Sequence, residues 1–531
     1  MRDDGRMHKV TFQYIAAFVF GITAVLLTGC RVGPKYQKPP ALAQAPPAVY
    51  KESPTQFAET DEWKVAQPQD AMLHGKWWEI YNDAELNALE DKLNIDNQSI
   101  KQYFENFMEA RALIAESRSQ LFPTVTFGPQ YSHSETSANL ANNNGTNGSG
   151  TTTTTGTTTT TTATTGGNRS SGLISLPFDV SWEPDLWGRV RNEVREAQYT
   201  AQLSAADLEN ERLTEQSSLA VYFFQVRGQD ALQAVLNQTI ADDQKALDYT
   251  QAQYDTGVGQ KISVVEAQNT LQNAQAAATN VGVARAEYEH AIAVLIGTNP
   301  STFSIPVRPL NAVPPAVPIG VPSQLLERRP DIAATERAMA SANAAIGVAD
   351  AAFYPNLTLS ASGGLESSTL GSLFKWGSRF WSVGPAVSET IYEGGLRRAT
   401  VRQYTAIYNA DVANYRETVL TAFQQVEDYL ATVRILSHQL VQQQAAAGSA
   451  QQFVDLETAR YQTGIDPYVN VLTAQTTLLD DQRTLATLHT QQMTASVQLI
   501  VALGGGWDST QLPSAADVSK KLTPAETGIQ R

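Results

Sequence analysis

The sequence predicts an α+β membrane protein built from two tandem copies of one unit. Three observations carry that prediction. Residues repeat along the chain at a constant offset. Each copy holds strand-like segments that alternate apolar and polar residues. Each copy also holds a proline-free helical run far longer than a globular domain uses.

The 531 residues begin with a leader. Arg2, Arg6 and Lys9 precede an apolar stretch from Tyr14 to Leu27, and the run Leu27-Thr28-Gly29-Cys30 closes it. Positive charge, an apolar core and small residues before a cut point make an export signal, which takes no part in the fold. The apolar core is short for a membrane helix, which needs about 20 residues. Cys30 is the single cysteine, and its thiol is the strong nucleophile at the cut site. It can therefore carry a thioether-linked lipid. Leu-x-Gly-Cys at this place resembles a bacterial lipoprotein box. Residues 1–29 are then the signal peptide, and Cys30 starts a mature chain tethered to a bilayer outside the cytoplasm.

Composition excludes several classes. The net charge of −15 argues against nucleic acid, whose phosphates need a basic surface. With Cys30 committed to lipid, no thiol remains for a disulfide or a thiolate metal site. His74, His133, His290, His438 and His489 are scattered, and none is spaced as a helical metal pair. Gly394-Gly395 lacks the Walker lysine-serine pattern, and Gly504-Gly505-Gly506 reads as a helix C-cap. The expectation is a non-enzyme with no metal and no cofactor beyond the covalent lipid. No apolar run after Cys30 reaches the length of a membrane helix, so any further crossing uses β-strands.

The elements follow in order. Residues 30–72 are a lipid-anchored leash, proline-rich from Pro39 to Pro54. The first repeat spans 73–305. A helix from Asn97 to Leu121 ends at Phe122-Pro123-Thr124, because proline pushes its predecessor into extended geometry. Strands follow: Phe178, Val180 and Trp182 alternate with Asp179, Ser181 and Glu183. Two strands of about ten residues fit in each copy, a length that crosses a bilayer when tilted. Between the first two lies a threonine-rich loop, 139–171, whose low-complexity tract predicts a mobile surface segment. A mucin-like glycosylated stalk is the alternative for it.

A long helix then runs from Gly188 to Gly257, 69 positions, and a return helix from Lys261 to Ile296. The long helix would measure on the order of 100 Å, which implies a coiled-coil-like or tubular assembly. Residues 306–322 form a proline-rich linker. The second repeat, 323–507, has the same parts. Its helix from Asp331 to Phe353 ends at Tyr354-Pro355-Asn356, and Leu357, Leu359 and Ala361 alternate with polar residues. Gly395 to Gly464 is again 69 positions, and a return helix spans Pro467 to Leu503. Shifting by 207 lays Gly188, Tyr254, Gly257, Ala267, Gln268 and Gly297 on Gly395, Tyr461, Gly464, Ala474, Gln475 and Gly504. The first copy has 25 extra residues between its strands. Residues 508–531 are a C-terminal tail.

Four motifs resemble the NodT-type outer-membrane efflux lipoproteins of the TolC-like outer membrane factor family. They are Cys30-Arg31-Val32-Gly33-Pro34-Lys35-Tyr36, then Trp77-Trp78 with Asp83 and Leu86-Asn87-Ala88-Leu89, then Leu325-Leu326-Glu327-Arg328-Arg329-Pro330-Asp331-Ile332. The fourth is Tyr-x-Thr-Gly at Tyr254 and Tyr461. The resemblance covers nearly the whole mature chain except the threonine-rich insertion and the tail after Trp507. It implies a homotrimeric β-barrel, four strands per chain, continuous with a long periplasmic α-helical tube. Barrel arithmetic agrees, since four strands cannot close a membrane barrel and three chains supply twelve.

The resemblance also implies partners and sites. The chain would be the exit duct of a tripartite efflux system, anchored in the outer membrane and extending into the periplasm. It would take small toxic molecules from a periplasmic adaptor and an inner-membrane pump. Tyr254, Gly257, Val258, Tyr461, Gly464, Ile465 and Asp466 would form helix tips that dock the adaptor. Relatives carry aspartates six or nine positions after the tip glycine. Here Ser263, Glu266, Asn470 and Thr473 hold those places as the candidate periplasmic gate, and only Glu266 carries a charge. Two alternatives stand: a type I protein-secretion duct, or a surface structural or adhesive lipoprotein whose threonine tract is the working part. Paired strands and paired 69-residue spacings favour a duct.

Overall fold

The computed structural model describes residues 31–42, 46, 49–52, 75–135, 152–154, 157–159, 170–310, 312–315, 317 and 324–521. Cys30 lies outside the described residues, as do residues 1–29, expected as a signal peptide, and most of the threonine-rich insertion.

After a 3-10 turn at Trp77–Tyr81 comes helix α1, Ala84–Asp96. Asp83 caps it, its carboxylate accepting from the amides of Glu85 and Leu86, as an N-cap aspartate should. Helix α2 is Gln98–Ser119 and stops before Pro123. Strands β1 (Thr124–Phe127) and β2 (Gln130–Glu135) follow. Then come two three-residue strands, β3 (Thr152–Thr154) and β4 (Thr157–Thr159), and the longer β5 (Ser170–Trp182). The first copy closes with α3 (Arg189–Asp255) and α4 (Lys261–Leu295). The second copy has α5 (Pro330–Ala351), β6 (Asn356–Ser367), β7 (Arg379–Ser388), α6 (Leu396–Gln462) and α7 (Tyr468–Ala502). The helices match in length across the copies: 22 residues for α2 and α5, 67 for α3 and α6, 35 for α4 and α7.

Two details add to the sequence reading. The block at Leu86-Asn87-Ala88-Leu89 is a helix with its own cap, an element that the motif alone did not declare. The threonine tract, expected as a mobile loop, holds the antiparallel pair β3–β4. Threonine is β-branched and favours extended backbone, so a polar tract of this kind still forms short strand pairs.

Two compact units divide the chain. The first takes the described residues within 31–34, 115–194 and 344–404 and holds the main sheet. Its order is β1-β5-β6-β7, with β2 also on β5, and every pairing is antiparallel. β1 and β2 are one edge strand broken at Gly128-Pro129, so the sheet has four positions and two open edges. Directly paired residues share a face. One face carries Val125, Phe127, Phe178, Val180, Leu359, Ala361, Trp381, Val383 and Val387. The other carries Thr124, Thr126, Asp179, Ser181, Thr358, Ser360, Ser362 and Ser382. The apolar face is bare in the single chain, with Trp381 80%, Val383 73% and Val387 70% exposed.

The second unit takes the described residues within 35–114, 195–343 and 405–521. Its largest core gathers Trp77, Leu86 and Leu93 with Phe223, Phe224, Ile292 and Ile500. On α6, Tyr415, Val419, Ala422, Val426 and Leu430 are buried at helical spacing, one stripe of an amphipathic helix. Gly228 lets α3 and α7 approach closely, since a Cβ there would lie 2.2 Å from Thr490 Oγ1. A buried ion network pins the start of the proline-rich linker. Arg227 donates to Glu85, to Asp230 (3.2 Å) and to the Pro306 carbonyl (2.6 Å). Arg285 donates to Asp230 (2.7 Å) and to the Ile305 carbonyl (2.7 Å).

Candidate functional site

The two helix-hairpin turns are built alike. At the first, Gly257 has φ +77 and at the second Gly464 has φ +76, a left-handed backbone that glycine adopts freely. The last helical carbonyls are satisfied in the same way. Gly257 N–H donates to Tyr254 O (2.9 Å) and Val258 N–H to Gln253 O (3.0 Å). Gly464 N–H donates to Tyr461 O (3.0 Å) and Ile465 N–H to Arg460 O (2.9 Å). These are matched glycine C-caps. Beyond each glycine an apolar side chain stands in solvent, Val258 at 81% and Ile465 at 67% exposed.

The hairpins also touch each other, and here they cease to be equivalent. The Tyr461 hydroxyl donates to Gln253 Oε1 at 2.6 Å. Its ring stands edge-on to Tyr249 (centroids 6.0 Å apart) and against Tyr468 (5.1 Å). Ala267, Tyr468 and Val471 form a small buried cluster beneath. Tyr254, the counterpart of Tyr461, is exposed. Asp466 pairs with Arg460 across the second turn. That guanidinium holds the Asp466 carboxyl below the usual carboxylate range.

The gate candidates sit on the first two turns of the return helices. Ser263 and Glu266 lie on α4, and Asn470 and Thr473 on α7. No hydrogen bond joins Glu266 to Asn470 or Thr473 among the described residues. Glu266 lies near Tyr468, whose hydroxyl pKa is pushed up by burial first and then by Asp243, Tyr461 and Glu266. Sequence reasoning found the turns but missed Tyr249, Gln253, Tyr468 and Asp243. A signal was present: Asp243, Ala246, Leu247 and Thr250 follow helical spacing, and the structure buries Asp243 and Thr250.

A profile of the family described as outer membrane efflux protein matches residues 91–298 and 321–505. The chain belongs to that family. It is 30% identical to the antibiotic efflux pump outer membrane protein ArpC of Pseudomonas putida over 493 residues, 92% of this chain and 94% of ArpC. It is equally similar, 30% over 493 residues, to the toluene efflux pump outer membrane protein TtgC of Pseudomonas putida, with the same coverage. The structure of the outer-membrane channel OprN superposes with a TM-score of 0.76 at 25% identity, covering 90% of this chain and 100% of OprN. The predicted α+β membrane fold, strands with long helices, is thus the fold of outer-membrane efflux channels. The location expected from sequence, the outer membrane, is that of the family.

Proposed function

We propose that three copies of this chain form the exit duct of a tripartite efflux system for small apolar or amphiphilic toxic compounds. The observation that carries the reading is the four-position sheet with one apolar and one small polar face and two open edges. Three such sheets, edge to edge, close twelve strands with lipid outside and water inside. The relatives named for antibiotic and toluene efflux support a small-molecule cargo over a secreted protein. The duct does no chemistry, takes no cofactor and no metal, and couples no energy itself.

The lipid on Cys30 would anchor the chain. Its neighbours support this reading: Arg31 Nε donates to Asn192 (2.7 Å), and Val32 N–H donates to the Trp187 carbonyl (3.0 Å). The residues after Cys30 are thereby fixed beside the junction of β5 and α3. Tyr254, Gly257, Val258, Tyr461, Gly464, Ile465 and Asp466 would dock a periplasmic adaptor, itself joined to an inner-membrane pump. Ser263, Glu266, Asn470 and Thr473 would line the mouth.

The test combines efflux with crosslinking. Gly464→Glu should lower resistance to exported compounds while trimers still reach the outer membrane. A cysteine at Ile465 should crosslink to the adaptor in the parent and not in the glycine variant. Lost efflux with a persistent crosslink would move the role of the tip from docking to gating. Persistence of both would leave the tips as turns alone.

A further inference from the structure

Between the two hairpins lies a groove of about 670 Å³, walled by α3, α6 and α7. Its floor holds Asp243, only 3% exposed. Asp243 Oδ2 is buried and has no hydrogen-bond partner. Gln475 also lines the groove, and its buried Oε1 likewise has no partner. A buried polar atom without a partner is costly, and more so when charged, so two in one groove call for an occupant. Both atoms are acceptors, so the missing group is a donor.

The rest of the groove narrows the choice. Asp242 and Asp455 add acidic side chains at the walls. The cation there, Lys245, is bonded to Asp242 at 2.9 Å. Three tyrosine rings, Tyr249, Tyr461 and Tyr468, line one side. Acceptors at the base and aromatic faces beside them suit a cation with an apolar body. A metal ion fits poorly, because no cluster of three ligating side chains exists among the described residues.

We propose that this groove binds a primary organic ammonium ion carrying an aromatic or apolar body. The ammonium donates to Asp243 Oδ2 and Gln475 Oε1, and the body lies along Tyr249, Tyr461 and Tyr468. Three N–H donors on one nitrogen satisfy both buried acceptors at once. The site stands whether or not the tips dock an adaptor, because it belongs to the chain alone.

The protonation of Asp243 sets a pH dependence. Burial, and then Asp242, push its carboxyl up to about 6. The charged or titratable groups around it are Asp242, Lys245 and Tyr249 on α3, Asp455 and Tyr461 on α6, Tyr468 on α7, and Glu266 on α4 near Tyr468. A cation binds the ionised carboxylate, so binding weakens as pH falls through about 6.

Calorimetry on the purified full chain in detergent tests the site, with 2-phenylethylammonium as the probe. Binding is expected at pH 7.5 and should be about tenfold weaker one unit below the pKa, at pH 5. The N-trimethyl analogue and 2-phenylethanol should bind more weakly, since the first has no N–H and the second no charge. Asp243→Asn should lose at least tenfold and Gln475→Leu severalfold. Asp248→Asn, outside the groove, should bind as the parent does. Should Asp243→Asn fail to fold, the Gln475→Leu loss and the pH profile still decide. No binding by the parent, equal binding at both pH values, or equal affinity for the alcohol overturns the proposal.

Discussion

The Tyr461 hydroxyl reaches 2.6 Å to Gln253 Oε1 and ties the second hairpin to the first. The duplication does not repeat this bond, because Gln253 corresponds to Arg460 and Tyr461 to Tyr254. The paired hairpin turns are therefore two-fold in sequence and one-sided in contact. In the proposed duct, this bond would oppose any opening that parts the two hairpins.

Tyr461→Phe removes the hydroxyl and leaves the ring stack. A neutral hydrogen bond contributes about 1 kcal/mol net. Planar-bilayer recordings should show a severalfold higher open probability for Tyr461→Phe. Tyr254→Phe, on the exposed side, should leave the parent value unchanged. Equal behaviour of the two variants would remove the bond from any account of gating.

Gly257→Ala and Gly464→Ala should each destabilise by about 1 kcal/mol, the cost of holding an L-residue in the left-handed region. No atom lies within 4 Å of a Cβ built at either position, so backbone strain is the whole effect. The two variants should show matching losses in thermal midpoint. A loss at one glycine alone would mean that contacts, not φ, set the cost.

Asp243→Asn should change stability in a pH-dependent way. The folded-state pKa of about 6 lies above the usual aspartate value of 3.8. Folding therefore retains a proton that the unfolded chain releases between those values. The stability contributed by this group is greatest below about pH 3.8 and is lost as pH rises through about 6. The neutral asparagine escapes that loss. Its thermal midpoint relative to the parent should be higher at pH 7.5 than at pH 4. A constant difference across this range would show that Asp243 titrates normally.

Arg227→Met should be among the costlier single substitutions in the chain. It leaves Glu85 without one cation and removes a donor to Asp230 and to the Pro306 carbonyl. Breaking a buried ion pair from one side costs about 3–5 kcal/mol. Chemical denaturation of the purified protein should show the loss. Susceptibility of residues near 306 to proteolysis should rise with it.

Much of the molecule was legible from local rules. Prolines at Pro123 and Pro355 ended the incoming helices, and glycines at Gly257 and Gly464 ended the long ones. Alternation through Phe178, Val180 and Trp182 marked a strand. Helix α1 was legible too, through Asp83 at its N-cap, but a motif reading passed over it. The groove was not legible. Asp243, Tyr461 and Gln475 come from three different helices, and nothing in the sequence separation of those helices fixes which residues face one another.

The sequence by itself determined the duplication, the two equal long helices and the turns between helices. Each is a local pattern: a repeated spacing, or a backbone limit of proline or glycine. Tertiary structure decided the rest. It set the strand order β1-β5-β6-β7 and so sorted apolar from polar side chains onto two faces. It broke the equivalence of the two tips at Tyr461, and it left Asp243 and Gln475 buried without donors. The physical reason is that two copies of one unit in a single chain occupy different surroundings. Each position meets neighbours from the other copy that differ from those its counterpart meets.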